Sequence, residues 1–175
     1  MNTAVASKVV RGSICLLGAA IIIVAVPAPH AAEPVTISYR ADLAKLTRLA
    51  PYPVVAPTGL PASWQPVSSG LAVGGANGAG TVTWQLGYMT SDGSLASLEE
   101  TNASAGAFVK RITNDGTALA PSPLDGRTWS LSVTPARGQR SMYLTSPAGF
   151  TVVVTGNATW AELRELAASL RPVAA

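Results

Sequence analysis

An uncharged apolar run near the N-terminus does most to constrain how this chain can fold. Residues 12–26 read GSICLLGAAIIIVAV; Lys8 and Arg11 precede them, and the next charged residue is Glu33. A charge in the core of a bilayer costs about 2.5–3.5 kcal/mol, so these charges mark the ends of a segment suited to a membrane. Because a positively charged flank stays in the cytoplasm, the sequence predicts that the chain after residue 32 lies outside the membrane.

Two interpretations of this run differ in whether it is removed. Its length is below the roughly 20 residues that span a bilayer comfortably, which favours a cleaved signal peptide. Small residues suited to a signal peptidase are present around Ala28 and Ala31, but prolines crowd both positions. Extended to Ala32, the segment is long enough to span, and we favour an uncleaved transmembrane signal anchor over residues 12–32. Residues 1–11 would then be cytoplasmic; secretion after cleavage is the alternative.

The rest of the chain is predicted to form a juxtamembrane segment with a helix, residues 33–50, and one exported globular domain, residues 51–175. About 140 residues follow the anchor, which suits one domain with its own core. Of 12 basic residues, Lys8 and Arg11 precede the run, which leaves ten against nine acidic residues. These charges form no dense basic patch, so the sequence argues against a nucleic-acid partner. Cys15, the one cysteine, allows no intramolecular disulfide bond.

Alternation of apolar and polar residues predicts a β-rich domain. Residues 81–90, TVTWQLGYMT, alternate as a half-buried strand does, and the turn at 91–93 returns the chain as a hairpin. The predicted strands are 67–73, 81–90, 94–101, 127–134, 140–145 and 150–155. Helical spacing of apolar residues is found over 40–50, over 104–113, and after Thr159, which forms a capping box with Glu162. The predicted fold class is α+β, an antiparallel sheet of five or six strands with flanking helices, preceded by one N-terminal transmembrane helix.

Three stretches show no regular pattern. Residues 51–66 contain five prolines and are predicted to be ordered but irregular. Residues 74–80, GGANGAG, resemble a phosphate-binding loop in composition alone, since no Lys-Ser/Thr pair follows, and they predict no nucleotide site. A loop is predicted around Pro121 and Pro123.

Residues that usually carry catalysis are scarce. His30, the one histidine, lies at the predicted membrane exit, so the domain can form neither a Ser-His-Asp arrangement nor a zinc site. Glu99 and Glu100 are adjacent and should point to opposite faces of a strand. Three other acids precede glycines and are interpreted as turn residues: Asp92, Asp115 and Asp125. Four tryptophans, which could line a groove, are in phase with apolar neighbours and are predicted to lie in the core: Trp64, Trp84, Trp129 and Trp160. We assign no catalytic, cofactor-binding or metal-ligating residue, and the sequence identifies no ligand-binding residue.

Several stretches together resemble one protein family. They are the apolar segment, the helix before Ala50-Pro51-Tyr52-Pro53-Val54, Pro57-Thr58-Gly59-Leu60-Pro61 with Trp64 and Pro66, Trp84-Gln85-Leu86-Gly87-Tyr88, Gly126 to Trp129, and the ending TVVVTGNATWAELRELAASL. This combination resembles the membrane-anchored, extracytoplasmic family of high-GC Gram-positive bacteria known as a domain of unknown function, number four-two-four-five. The resemblance implies the same single-span topology. The family has no assigned activity, so the resemblance implies no catalytic residues.

The expected function is that of a non-enzymatic accessory or binding domain, tethered to the membrane and acting at the cell envelope on a protein or cell-wall partner. One alternative is a structural subunit of a membrane complex, with the span as the contact. Another is a glycan-active enzyme that uses carboxylates alone. That chemistry needs two acids roughly 5–10 Å apart across a cleft. The acids available for it are Asp92, Glu99, Glu100, Asp115 and Asp125.

Overall fold

A computed structural model describes residues 36–74 and 80–174, which belong to one compact unit, Glu33–Ala175. Within the described residues the chain forms three α-helices and nine strands. In chain order they are α1 (Arg40–Leu49), β1 (Val55–Pro57), β2 (Gln65–Gly74), β3 (Thr81–Met89), β4 (Leu95–Thr101), α2 (Ala105–Ile112), β5 (Thr117–Leu124), β6 (Arg127–Thr134), β7 (Gln139–Thr145), β8 (Thr151–Gly156), α3 (Trp160–Ser169) and β9 (Leu170–Pro172). The predicted anchor, residues 12–32, lies outside the described residues. No helix within them is long and apolar enough to cross a membrane.

Seven of the strands form one antiparallel sheet in the order β2-β3-β4-β8-β7-β6-β5. Two short strands, β1 and β9, pair antiparallel in a second sheet. The α+β class and the antiparallel sheet are therefore confirmed, whereas the predicted count of five or six strands is too low. The missed strand of the main sheet is β5, which contains Pro121 and Pro123. It can accommodate them because it lies at the edge, where its register with β6 shifts between Leu119 and Ser122.

One face of the main sheet, which we call the core face, carries the apolar residues predicted from the alternation in β3. Trp84 and Leu86 of β3 are fully buried there, and Leu98 of β4 lies opposite Leu86. Two helices close this core, since Leu46 of α1 and Leu166 of α3 are also fully buried within it. Burying a side chain of this size stabilises the fold by about 1.5–3 kcal/mol. The helix predicted over 40–50 is thus built into the same core as the sheet.

The opposite face, which we call the second face, is more polar and contacts α2. Phe108 is the buried residue of that helix, whereas Val109 and Ile112, which helical spacing places on the same apolar side, are partly buried. Beneath α2, Gln139 donates from Nε2 to the Ile112 carbonyl at 2.8 Å and to Thr155 Oγ1 at 2.7 Å. Ser141 Oγ lies 2.7 Å from the same threonine hydroxyl. These hydrogen bonds satisfy polar groups that would otherwise be costly to bury between helix and sheet.

The last helix agrees with the sequence at its start and differs at its end. Thr159 caps it, and the reciprocal hydrogen bonds with Glu162 confirm the capping box. Pro172 is the first residue after Thr159 that a helix could not include, but the helix stops at Ser169 because Leu170 begins β9 and pairs with Pro57 of β1. Three of the four tryptophans are buried as predicted, whereas Trp160 at the start of this helix is half-buried and packs against the core.

Candidate functional site

An apolar cleft of about 340 Å³ lies between the two-stranded sheet and one end of the main sheet. The main sheet contributes aromatic and aliphatic side chains, and the short sheet contributes the opposite wall. The lining residues are Pro53, Val55, Arg127, Trp129, Leu144, Thr145, Ser146, Pro147, Phe150, Val152, Leu170 and Pro172. Arg127 is the one charged residue in this lining. The walls of the cleft are therefore mostly apolar, and Arg127 is the cationic group among them.

A second, more polar cleft of about 390 Å³ adjoins the first. Both clefts are lined by Arg127 and Trp129 of β6 and by Leu170 and Pro172 of β9. The polar cleft adds Arg171 and Asp125 to the charged groups, together with Leu124 and Ala167. We refer to the two adjoining clefts together as the amphipathic groove.

The local fold explains why the arginines lie here. Arg127 follows a tight turn at Asp125 and Gly126, which have φ of 49° and 70°. Two consecutive positive φ values define the turn type whose twist suits a hairpin, and Asp-Gly is a preferred pair for it. Since side chains alternate along a strand, Arg127 and Trp129 share one face of β6. Arg171 donates from Nη1 to the carbonyls of Ala168 at 2.7 Å and Leu170 at 2.9 Å, which covers the exposed acceptors at the end of α3.

Within residues 36–74 and 80–174, no carboxylate lies within ion-pair distance of either arginine of the groove. Among the described residues, the ion pair that forms is Lys110–Asp115 at 3.3 Å, on the second face. Both arginines are exposed, and either can donate charge-assisted hydrogen bonds to an anion, which are about twice as strong as neutral ones. The groove thus combines an apolar chamber with a polar part that contains two arginines and one carboxylate, Asp125.

Two buried polar side chains lie behind the apolar cleft. Tyr52 stacks on Phe150 of the cleft wall, with ring centroids 5.2 Å apart and planes at 11°. Glu100 is fully buried, and its Oε2 accepts a hydrogen bond from the Val55 amide at 3.2 Å. Among the described residues, nothing hydrogen-bonds Glu100 Oε1 or the Tyr52 hydroxyl.

These buried groups are uncharged at neutral pH. Burial raises the pKa of the Glu100 carboxyl to about 8, and the hydrogen bond from Val55 only partly opposes this. Burial, assisted by the negative charge that Glu100 would carry, also raises the pKa of the Tyr52 phenol. The wall of the apolar cleft is therefore backed by a neutral carboxylic acid rather than a carboxylate.

The structure separates the five acids considered from the sequence. Glu99 and Glu100 point to opposite faces of β4, as predicted, since they lie opposite Gln85 and Trp84 respectively. The others occupy turns, and hydrogen bonds from Thr90 and Ser94 lower the pKa of the Asp92 carboxyl. Three of the acids line three different clefts: Glu99, Asp115 and Asp125. These positions do not supply the paired carboxylates across one cleft that glycoside hydrolysis needs.

The sequence did not single out the residues of the groove. Arg127 belongs to the charges that form no dense basic patch in the sequence, and the pattern around Trp129 predicts a core residue. Trp129 is indeed buried, yet it also forms part of the cleft wall. The sequence does indicate one relation within the groove: Arg127 and Trp129 are two positions apart, which places both side chains on the same face of a strand. Their meeting with Leu170 and Pro172 depends on the pairing of β1 with β9, which joins residues more than 110 positions apart.

The fold and the groove together define an α+β domain with a seven-stranded antiparallel sheet and an amphipathic groove at one end. The family described as "Protein of unknown function (DUF4245)" matches residues 13–170, and the chain belongs to this family. The family resemblance inferred from the sequence is confirmed in this respect, whereas membrane anchoring and occurrence in high-GC Gram-positive bacteria stay predictions. No curated protein and no solved structure matches the chain.

Proposed function

We propose that this protein is a non-enzymatic binding domain held at the outer face of the cytoplasmic membrane, and that its amphipathic groove binds an amphiphile with an acyl chain and an anionic head group. The observation that carries the proposal is the continuity of an apolar cleft with a cationic one through a shared wall that contains Arg127. The chain would occupy the apolar cleft, and the head group would meet the arginines.

The size and chemistry of the groove support this ligand class. Small-molecule sites have volumes of roughly 300–1,000 Å³ and are mostly apolar with a few placed polar groups. The apolar cleft has about 340 Å³, and Phe150 and Leu144 contribute to its apolar walls. Burial favours the protonated form of Glu100 behind the wall, and Asp125 is the carboxylate that lines the groove itself, opposite in charge to its two arginines.

The binding proposal is tested with decanoate and 1-decanol, which share a ten-carbon chain and differ in the anionic head. The fragment 33–175 is suitable because the described residues form one compact unit with the groove inside it. Decanoate should bind with measurable heat in titration calorimetry and raise the unfolding temperature. Arg127→Gln should weaken decanoate binding up to about fivefold, because an ion pair with an exposed arginine is worth about 0.2–1 kcal/mol. It should leave decanol binding nearly unchanged.

The matched control is Arg137→Gln, which removes an exposed arginine beyond the opposite end of β6. If Arg127→Gln and Arg137→Gln weakened decanoate binding equally, the effect would come from the net charge of the domain and not from a contact in the groove. The absence of any decanoate binding to the wild-type fragment would exclude the groove as an acyl-chain site.

The tether rests on Lys8, Arg11 and the uncharged run that follows them. Protease treatment of intact spheroplasts should digest the C-terminal domain and leave a short membrane-bound fragment. Protection of the domain would refute the orientation. A mature N-terminus near Ala28 or Ala31 would show the cleaved alternative, with the binding domain secreted.

A further inference from the structure

A separate cleft of about 360 Å³ lies on the second face, across β2, β3 and β4 and beside α2. Glu99 of β4 and Arg111 of α2 both line it, together with Gln85 and Thr83 of β3. On the β2 side, Gly70 leaves the cleft open, because a Cβ added there would have no heavy atom within 4 Å. None of these residues lines the amphipathic groove.

Glu99 is an unusual residue for a cleft lining because most of its side chain is buried, yet it forms no ion pair among the described residues. It is only 7% exposed. Within residues 36–74 and 80–174, no group donates a hydrogen bond to its carboxylate. Its oxygens are not among the enclosed polar atoms that lack a partner, so the carboxyl group opens onto the cleft and can accept a hydrogen bond from a ligand there. Burial accordingly raises the pKa of the Glu99 carboxyl to about 7, and the charge of Arg111 acts in the opposite direction.

Arg111 shares the cleft with Glu99 but forms no ion pair with it. Its guanidinium lies over the Phe108 ring, 5.2 Å from the ring centroid, which fixes it by a cation–π contact. The two opposite charges therefore face the same space without meeting. A ligand between them would satisfy both, whereas a lone cation would be repelled by Arg111 and a lone anion by Glu99.

We propose that this cleft binds a zwitterion, with the ammonium group of the ligand on Glu99 and its carboxylate on Arg111. A free amino acid or a short peptide with both ends free has this chemistry. Gln85 lies directly opposite Glu99 in the sheet and offers an amide donor and acceptor to the middle of the ligand. The open space at Gly70 accommodates the ligand backbone.

Glycine, diglycine and triglycine differ in the distance between their amine and carboxylate, so comparing their binding estimates the spacing between Glu99 and Arg111. Each is added to the full-length protein in detergent micelles. Amide chemical shifts of residues in β2, β3 and α2 report binding. One length should bind best, and capping either its amine by acetylation or its carboxylate by amidation should weaken binding at least about tenfold, since each cap removes one charge-assisted contact.

Two variants assign the ends of the ligand. In Glu99→Gln, the acetylated and free-amine peptides should bind equally; in Arg111→Gln, the amidated and free-carboxylate peptides should do so. Such a change in preference would not follow from a loss of structure alone. The control is Lys110→Gln, which removes the neighbouring cation of α2. Gly70→Val should block all the peptides without altering either charge.

Three results would overturn the proposal. They are the absence of binding tighter than about 10 mM for any length, equal binding of capped and uncapped peptides, and a requirement for one free end only. Decanoate binding by Arg127 in the groove is independent of all three, so the two proposals can fail separately.

Discussion

Burial of Glu100 in the apolar core predicts that the domain loses stability as the pH rises. Glu100→Gln is the perturbation that isolates this effect. Glutamine has the same shape, its side-chain oxygen can accept the hydrogen bond from the Val55 amide, and it cannot ionise. Tyr52 is the titratable group beside Glu100, and its phenol stays protonated through this range because its own pKa is raised.

The magnitude follows from the two pKa values of Glu100. The carboxyl has its ordinary pKa of 4.5 in the unfolded chain and about 8 in the folded protein. Between these values the folded state holds a proton that the unfolded state has lost, so the free energy of unfolding falls as the pH rises. The stability is fully present below about pH 4.5 and is lost as the pH rises through about 8. At about 1.4 kcal/mol per pKa unit, the full loss is up to about 5 kcal/mol.

That loss is large for a domain whose stability is expected to be about 5–15 kcal/mol. Glu99 acts in the same direction, because its pKa is raised to about 7. It adds up to about 3 kcal/mol at the lower end of the same range. The wild-type protein should therefore have its greatest stability near pH 5 rather than at neutral pH.

Urea unfolding of the fragment 33–175 at half-unit steps from pH 5 to pH 9 measures this dependence. Glu100→Gln should be within about 1 kcal/mol of the wild type at pH 5 and more stable by several kcal/mol at pH 9, and Glu99→Gln/Glu100→Gln should be nearly independent of pH. Glu165→Gln, at an exposed position of α3, is the control and should follow the wild type. Parallel curves for the wild type and Glu100→Gln would refute the reasoning, as would a wild-type stability that rises with pH.

Three further changes test the packing of the domain, each by urea unfolding at pH 6. Leu46→Ala should cost about 2–5 kcal/mol because that side chain is fully buried, whereas Leu49→Ala, at a position 50% exposed, should cost about 0.5 kcal/mol or less. Thr159→Ala removes the side-chain cap of α3 and should cost about 1 kcal/mol, and a loss near zero would contradict its capping role. Gly156→Ala should lower the free energy of unfolding by about 1–3 kcal/mol, because the added Cβ would overlap a backbone carbonyl of the facing strand. The control is Gly106→Ala in α2, where the added Cβ has open space and the change should be neutral or stabilising.

The local patterns of the sequence account for most of the main sheet. The strand predicted over 127–134 has the observed bounds of β6, and the alternation of 81–90 correctly placed Trp84 and its apolar neighbours on the core face. These strands were predictable because one side faces an apolar core and the other a polar layer, which leaves a period of two in the sequence. β5 was missed since its prolines argue against a strand, and only its position at the sheet edge makes them tolerable.

The candidate sites were less predictable because they depend on contacts between distant parts of the chain. The short sheet joins Val55–Pro57 to Leu170–Pro172, and no local feature of either segment indicates that partner. Arg111 reaches the cleft because α2 lies across the second face, although helical spacing indicated only which side of α2 is apolar. The type and spacing of residues along one strand or helix show which of its sides is apolar. The order of the strands in the sheet then decides which of these sides come together to form a binding site.

Glu99 and Glu100 show how this decides the chemistry of two adjacent, identical residues. Strand alternation sends Glu100 into the core face and Glu99 into the second face. In the core, burial is opposed only by one backbone hydrogen bond, and the carboxyl stays neutral behind the groove wall. In the cleft, burial raises the pKa of the Glu99 carboxyl to about 7, and the charge of Arg111 opposes that rise. Since the two residues are identical and adjacent in the sequence, the difference in their surroundings arises from the layer each one enters, which is the apolar core for Glu100 and the cleft lined by Arg111 for Glu99.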